Sequence, residues 1–244
     1  YEFPFIGREK ELKLLSLGIE NSIEQNGVAY LIKGKSGVGK TSLSKRFQET
    51  LQRTNINVIY IQGNSFSTHL ALFVFKHLVW HFIDYYFAQP VNLRKKIKYV
   101  INETCKEFST ILRALIPECI EFFDGAQETY NVDDKGIDEH TFQACTQLLT
   151  VFLNSSFSVI CIDNFHFCDS ESARVITDTV QNEFKGMFVC NVQTDTLERD
   201  LIQETVAPKS GFNYTIRLEK FSDSEYRRFV SQYFSIHDSE SSFI

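Results

Sequence analysis

Short apolar runs alternate along this chain with longer stretches in which apolar residues recur every three or four positions. The short runs are rich in β-branched and aromatic residues and predict strands, whereas the longer spacing predicts helices. The five predicted strands are Val28–Lys33, Val58–Gln62, Ser158–Asp163, Met187–Gln193 and Tyr214–Leu218. The predicted helices are Lys10–Gln25, Lys40–Thr54, Asp138–Asn154 and Ser170–Glu183, with a long helical tract within Thr68–Phe123. Alternating strands and helices indicate an α/β fold, a mostly parallel sheet between layers of helices.

The long tract exceeds what a simple crossover between two strands needs. We expect two or three helices inserted after the second strand, interrupted near Gln89-Pro90 and near Pro117, because proline breaks a helix. The polar segment Gly125–Gly136 predicts a loop. Near the end, the segment Phe221–Glu225 predicts the start of a further helix.

Composition and charge narrow the class of protein. Hydrophobic residues make up 43% of the chain and charged residues 23%, which is typical of a globular domain. The net charge of −6 argues against nucleic-acid binding through an overall positive field.

The six cysteines show no C-x-x-C pair and no zinc spacing, which favours reduced thiols in the cytoplasm. No apolar run approaches the length of a membrane span, and the start at Tyr1 suggests a segment of a longer protein.

One motif carries specific chemistry. Residues Gly34–Thr41 spell G-x-x-x-x-G-K-T between a predicted strand and a predicted helix, the context in which this spacing forms a phosphate-binding loop. Its backbone N–H groups and the helix N-terminus would bind the phosphates, Lys40 would reach the β- and γ-phosphates, and the Thr41 hydroxyl would bind Mg²⁺. The alternative is a chance glycine-rich turn. The predicted contacts are Gly34, Lys35, Ser36, Gly37, Val38, Gly39, Lys40, Thr41 and Ser42.

The apolar run before Asp163 supplies a second acidic strand. Asp163 would hold Mg²⁺ opposite Thr41, directly or through water; the alternative is a buried strand that ends at a surface aspartate. The next residue, Asn164, can orient a water molecule but cannot accept a proton at neutral pH. We therefore expect slow hydrolysis unless His166 or Asp169 supplies the base. His166 could equally be a structural residue bonded to the backbone.

Taken together, these stretches resemble the P-loop ATPases of the STAND and AAA type. The closest similarity is to the ATPase modules attached to class III adenylyl cyclases and signalling kinases. Their opening F-x-G-R-E-x-E-L is similar to Phe5–Leu12, and their metal strand with the following x-x-H-x-x-D is similar to Asp163–Asp169, where Asn164 replaces an acid. The resemblance implies a P-loop NTPase fold in which the Met187–Gln193 strand separates the strand of Asp163 from the P-loop strand.

The resemblance also implies further contacts. In this family the segment at Ile6, Gly7 and Arg8 lies near the adenine, which favours ATP over GTP, and no N-K-x-D base-reading motif is present. Many members have an arginine that senses the γ-phosphate at the end of the fourth strand; here either Gln193 replaces it or the sensor is absent. Residues 218–225 resemble the start of a helical lid. The chain would then divide into a P-loop ATPase domain over 1–220 and the truncated beginning of a lid over 221–244.

These expectations lead to a regulatory ATPase module that binds ATP and Mg²⁺ and acts as a nucleotide-dependent switch in a larger cytoplasmic signalling protein. Its partners would be effector or sensor domains of the same parent chain, and the module could form a nucleotide-dependent oligomer. One alternative is an origin-recognition-like or other DNA-handling AAA+ ATPase, although the charge of −6 argues against it. A second alternative, which Asn164 favours, is an ATP-bound scaffold that does not hydrolyse the nucleotide.

Overall fold

A five-stranded parallel sheet forms the centre of the protein. The computed structural model describes residues 5–24, 27–52, 54, 56–123, 137–195 and 212–231. Its strands are β1 (Val28–Gly34), β2 (Asn57–Gln62), β3 (Ser158–Asp163), β4 (Met187–Gln193) and β5 (Tyr214–Arg217). The predicted bounds of β3 and β4 match to the residue, and each of the other strands differs by one residue at one end.

The strand order is β2-β3-β4-β1-β5, with every neighbouring pair parallel. Strand β4 lies between β1 and β3, which confirms the strand order implied by the family resemblance. In the register of β1 and β4, Gly34 pairs with Gln193. Because parallel strands end at the same edge of a sheet, Gly34, Asp163 and Gln193 lie together at one edge, where open α/β folds bind their ligands.

Helices cover both faces of the sheet. Alternate residues of β1 enter different cores, since Ala29 and Leu31 pack on one face and Tyr30 and Ile32 on the other. Helices α1 (Glu9–Glu24) and α2 (Lys40–Leu51) pack on the Tyr30 face. The helices of the opposite face are α3 (Phe73–Ala88), α4 (Val91–Cys105), α5 (Ser109–Leu115), α6 (Glu139–Ser155) and α7 (Ser170–Gln181).

The insertion after β2 contains the three helices α3, α4 and α5. The predicted interruption at Gln89-Pro90 is confirmed, and a 3₁₀ segment begins at Pro117 where the second interruption was predicted. A third interruption, the 3₁₀ segment Lys106–Phe108, was not predicted because no proline or glycine marks it. The loop predicted over Gly125–Gly136 lies outside the described residues.

A helix over residues 223–231 follows the last strand, where the sequence predicted a helix start. Ser222 and Glu225 form a reciprocal cap: the Ser222 N–H donates to Glu225 Oε2 at 2.8 Å, and the Glu225 N–H donates to Ser222 Oγ at 3.4 Å. The division at residue 220 stays a prediction. In the part of the chain that the structure describes, no helix is long and apolar enough to span a membrane.

Candidate functional site

The loop between β1 and α2 has an open concave side. Gly37 and Gly39 have φ angles of +76° and +94°, which side chains with a Cβ rarely adopt. A Cβ added at either position would meet no atom within 4 Å, so the loop leaves space there. Gly34 is enclosed instead, because its added Cβ would lie 2.8 Å from the Leu218 carbonyl oxygen. The N-cap residue of α2 is Gly39, which has no side chain to cap the first turn of the helix.

The Lys40 side chain folds back into the loop. Its Nζ donates to the carbonyl oxygen of Gly34 at 2.9 Å and to that of Lys35 at 2.8 Å. Burial lowers the pKa of Lys40 below its usual value, although the negative charges of Asp195 and Asp163 oppose that effect. Two backbone carbonyls thus hold the ammonium group at the loop.

Thr41 and Asp163 face each other across the end of the sheet. Thr41 Oγ1 donates to Asp163 Oδ2 at 2.8 Å, and the Tyr60 hydroxyl donates to the same oxygen at 3.1 Å. The Asp163 side chain is 1% exposed. A buried carboxylate opposite a hydroxyl in the first turn of a helix supplies the oxygen donors that Mg²⁺ requires. The residues present therefore fit a magnesium ion.

Two buried polar residues that the sequence analysis missed extend the hydrogen bonds of Asp163. Asn191 on β4 donates from Nδ2 to Asp163 Oδ1 at 2.8 Å and to Ser44 Oγ at 2.9 Å. Asn191 and Ser44 are each 1% exposed. One signal was present, since Asn191 is a polar residue inside the otherwise apolar run Met187–Val192.

Asn164 and His166 follow directly after β3. Asn164 has a left-handed backbone with φ 53°, which asparagine tolerates better than most residues. Its Nδ2 lies 3.5 Å from the Gly63 carbonyl oxygen. The mostly buried His166 ring accepts at Nδ1 from the Gln193 N–H at 3.5 Å. The structure thus brings His166 and Gln193 together beside the end of β3.

Asp169, which we considered as a base, has a structural role. Its carboxylate caps α7 by accepting from the Ser172 N–H at 2.8 Å. The same carboxylate accepts from the N–H groups of Leu72 at 2.9 Å and Val74 at 3.2 Å. Because its oxygens are engaged by three backbone donors, Asp169 fixes the start of α3 to the start of α7.

Asp195 is a further residue at the loop that the sequence did not predict. Its two carboxylate oxygens lie 3.1 and 3.2 Å from the backbone nitrogen of Ser36. This hydrogen bond is the main cause that lowers the pKa of Asp195, to which the charge of Lys40 adds. A negative side chain therefore lies on the loop that was predicted to bind phosphate.

The opening segment contacts the loop from another side. Arg8 donates to the carbonyl oxygen of Val38 at 3.2 Å and to that of Glu219, and its guanidinium carbon lies 5.0 Å from the centre of the Phe221 ring. Ile6 is buried, and a Cβ added at Gly7 would lie 3.3 Å from Glu225 Oε1. Gly7 and Arg8 thus lie between the loop and the 223–231 helix, with the Arg8 guanidinium bound to the protein itself.

Sequence comparison identifies the family. The sequence model of the AAA ATPase domain matches residues 4–189, well over half of the chain. The chain belongs to the AAA ATPase domain family. Membership in this family of ATPases agrees with the P-loop geometry of the site, although it does not establish an association with adenylyl cyclases. No curated protein shows a significant match to this AAA domain.

Two solved ORC structures share the fold of this AAA domain. A chain of Drosophila ORC bound to DNA superposes with a TM-score of 0.51 at 14% identity, over 95% of this chain and 47% of that one. The Aeropyrum pernix ORC2 protein in its ADP form gives 0.50 at 12% identity, over 96% and 54%. A STAND protein with a tetratricopeptide repeat sensor from Pyrococcus horikoshii gives 0.44 at 16% identity, over 93% and 25%.

The two ORC similarities concern the fold alone. The AAA domain spans about half the length of the two ORC chains and a quarter of the STAND chain. What those larger proteins bind or assemble with is therefore not transferred to this domain by the superposition.

Proposed function

We propose that this AAA domain binds ATP with Mg²⁺ and acts as a nucleotide-dependent switch within a larger signalling protein. The observation that carries the proposal is the 2.8 Å contact between Thr41 and the buried Asp163 beside an open P-loop. Membership in a family of ATPases supports a nucleotide as the ligand.

Each residue at the sheet edge has a proposed role. The N–H groups of the loop and the Lys40 ammonium would bind the phosphates, with Lys40 exchanging its carbonyl partners for phosphate oxygens. Thr41 and Asp163 would hold Mg²⁺, which supplies positive charge for the phosphates when bound. Gln193, positioned by His166, would lie toward the terminal phosphate. Ile6, Gly7 and Arg8 stay the proposed contacts on the adenine side.

Slow hydrolysis is part of the same proposal. Asn164 can orient a water molecule but cannot take its proton. The carboxylate of Asp169 is engaged by three backbone N–H groups. The ATP-bound form would consequently persist, which suits a switch whose state is set by binding and release.

The switch would act through Arg8. This side chain joins the carbonyl oxygen of Val38 in the loop to Glu219 and Phe221, directly before the 223–231 helix. A shift of the loop on phosphate binding would alter those contacts and so the position of the helix. We propose that this helix begins the lid over residues 221–244.

Nucleotide binding can be tested by titration with a fluorescent ATP analogue with and without Mg²⁺. Lys40→Ala should weaken binding strongly because it removes the charge that meets the phosphates. Lys45→Ala is the matched control, since it removes an exposed lysine from the same helix. Equal affinities of the wild type and Lys40→Ala would overturn the nucleotide-binding proposal.

The switch has a separate readout. Hydrogen–deuterium exchange over residues 223–231 should differ between the ATP-bound and ADP-bound protein. Arg8→Ala should abolish that difference, whereas Arg217→Ala, which removes an exposed arginine from β5, should preserve it. Exchange that is the same in both nucleotide states would leave nucleotide binding intact and rule out the switch.

A further inference from the structure

A row of polar side chains crosses three strands beneath the first turns of α2. Tyr60 on β2, Asp163 on β3 and Asn191 on β4 lie on the sheet face whose core includes Val159 and Val189. Tyr60 and Asn191 contact different oxygens of Asp163: Tyr60 donates to Oδ2 and Asn191 to Oδ1. The carboxylate is thus fixed from both sides inside an otherwise apolar layer.

The orientation of the Asn191 amide is determined by its neighbours. An ionised carboxylate only accepts hydrogen bonds, so the amide nitrogen and not its oxygen must face Asp163. The same nitrogen donates to Ser44 Oγ at 2.9 Å, and Ser44 Oγ lies 3.2 Å from Asn191 Oδ1. Ser44 lies on α2, one turn after Thr41. One helix therefore carries both the hydroxyl that faces Asp163 Oδ2 and the hydroxyl that supports Asn191.

We propose that Asn191, supported by Ser44, is a positioning residue for the metal-binding carboxylate. By holding Oδ1 at 2.8 Å, Asn191 keeps Oδ2 turned toward Thr41, where the proposed Mg²⁺ would be bound. Outer partners of this kind orient metal ligands, and their loss typically reduces metal affinity or activity by about 10- to 100-fold. The inference rests on the proposed binding of ATP with Mg²⁺ and adds residues that the P-loop motif does not contain.

A positioning role and a purely structural role predict different results. If Asn191 only packed in the core and paired its buried polar groups, its replacement would lower stability and would weaken ATP binding equally with and without Mg²⁺. If it positions Asp163, replacement should weaken the Mg²⁺-dependent part of ATP binding and spare the part that depends on the loop and Lys40. The ratio of ATP affinities in Mg²⁺ and in EDTA separates the two roles.

The experiment measures this ratio in the whole chain with a fluorescent ATP analogue. Asn191→Leu, whose side chain has the same branched shape but no hydrogen-bond donor, should reduce the ratio by about 10- to 100-fold. Its affinity in EDTA should stay within about twofold of the wild type, because the P-loop contacts are untouched. Val189→Ala is the matched control, since it truncates a buried apolar side chain on the same face of the same strand.

The outcomes are distinguishable. A wild type whose ATP affinity does not rise with Mg²⁺ would overturn the proposed function and this inference with it. If Mg²⁺ raises the ATP affinity of the wild type, two results for Asn191→Leu would overturn the inference alone. One is an unchanged ratio, and the other is an equal loss of affinity in Mg²⁺ and in EDTA. If Asn191→Leu does not fold, Ser44→Ala is the deciding variant, because it removes only the hydroxyl that supports the Asn191 amide. A drop in the ratio that is smaller than the one expected for Asn191→Leu would support the positioning role. An unchanged ratio would overturn it.

Discussion

The carboxylate of Asp195 accepts a hydrogen bond from the backbone N–H of Ser36, at 3.1 Å to the nearer oxygen. Ser36 lies in the loop that we propose for phosphate binding, and Asp195 also lies close enough to Lys40 to affect its pKa. In this structure the carboxylate of Asp195 therefore occupies one of the backbone N–H groups that we propose for phosphate binding. A nucleotide phosphate brought to the loop would meet this like charge.

Removing the charge of Asp195 should strengthen ATP binding. We expect Asp195→Asn to raise affinity by about two- to fivefold, the size typical of an exposed charge pair, with a smaller effect at high salt. Because the pKa of Asp195 is lowered, the carboxylate is ionised across about pH 6 to 8 and the effect should be constant there. Titration calorimetry at two ionic strengths checks this, with Asp84→Asn on the exposed side of α3 as control. An affinity that falls would show that Asp195 helps the nucleotide to bind.

Nucleotide affinity should decrease at alkaline pH through Lys40. Only the protonated ammonium attracts phosphate, and burial lowers its pKa, so the loss should begin below the ordinary lysine pKa of about 10.4. The decrease should be at most about tenfold per pH unit, as expected for one coupled proton. Affinity in EDTA, measured from about pH 7.5 to 10, should converge on that of Lys40→Ala. Parallel curves for the two proteins would contradict this expectation.

Asn164→Asp should raise the rate of ATP hydrolysis with little change in ATP affinity. Aspartate tolerates the left-handed backbone of residue 164 as asparagine does, so the change adds a base without strain. A general base typically contributes about 10²- to 10⁴-fold. Single-turnover hydrolysis, with matched samples lacking Mg²⁺, measures the gain.

The control for this experiment is Asn164→Gly, which keeps the left-handed backbone and supplies no base. Its rate should not exceed that of the wild type. If the wild type is already fast, or if Asn164→Asp leaves the rate unchanged, residue 164 is not the missing base. His166 or a residue from a partner subunit would then be the better candidate.

Replacing Asp169 should destabilise the fold and spare the nucleotide site. Asp169→Ala removes a helix cap and leaves the buried N–H groups of Leu72 and Val74 without their acceptor, at a cost of about 2–4 kcal/mol in unfolding free energy. Chemical denaturation measures the loss, and Asp178→Ala on the same helix is the milder control. ATP affinity of the folded fraction should match the wild type; a selective loss of hydrolysis would restore Asp169 as a base.

Local sequence predicted the secondary structure well where the pattern was strong. Strands β3 and β4 are almost entirely buried and mostly apolar, and each ends at a polar residue, so their bounds could be predicted. The interruption at Lys106–Phe108 was missed because no backbone-breaking residue marks it. The P-loop could be predicted for a different reason. Its glycines, its lysine and its threonine must all stand within eight consecutive positions, so the motif is complete in the local sequence.

The sequence by itself determined the α/β pattern, the phosphate loop and the carboxylate of Asp163, since each depends on residues close together in the chain. Only the tertiary structure decided what surrounds them. Asp195 lies 159 residues from Ser36, Tyr60 lies 103 from Asp163, and Asn191 lies 147 from Ser44. Such pairs meet because the parallel sheet places β2, β3, β4 and β1 side by side with their ends at one edge. Local periodicity has no information on strand order, so these contacts could be found only in the folded chain.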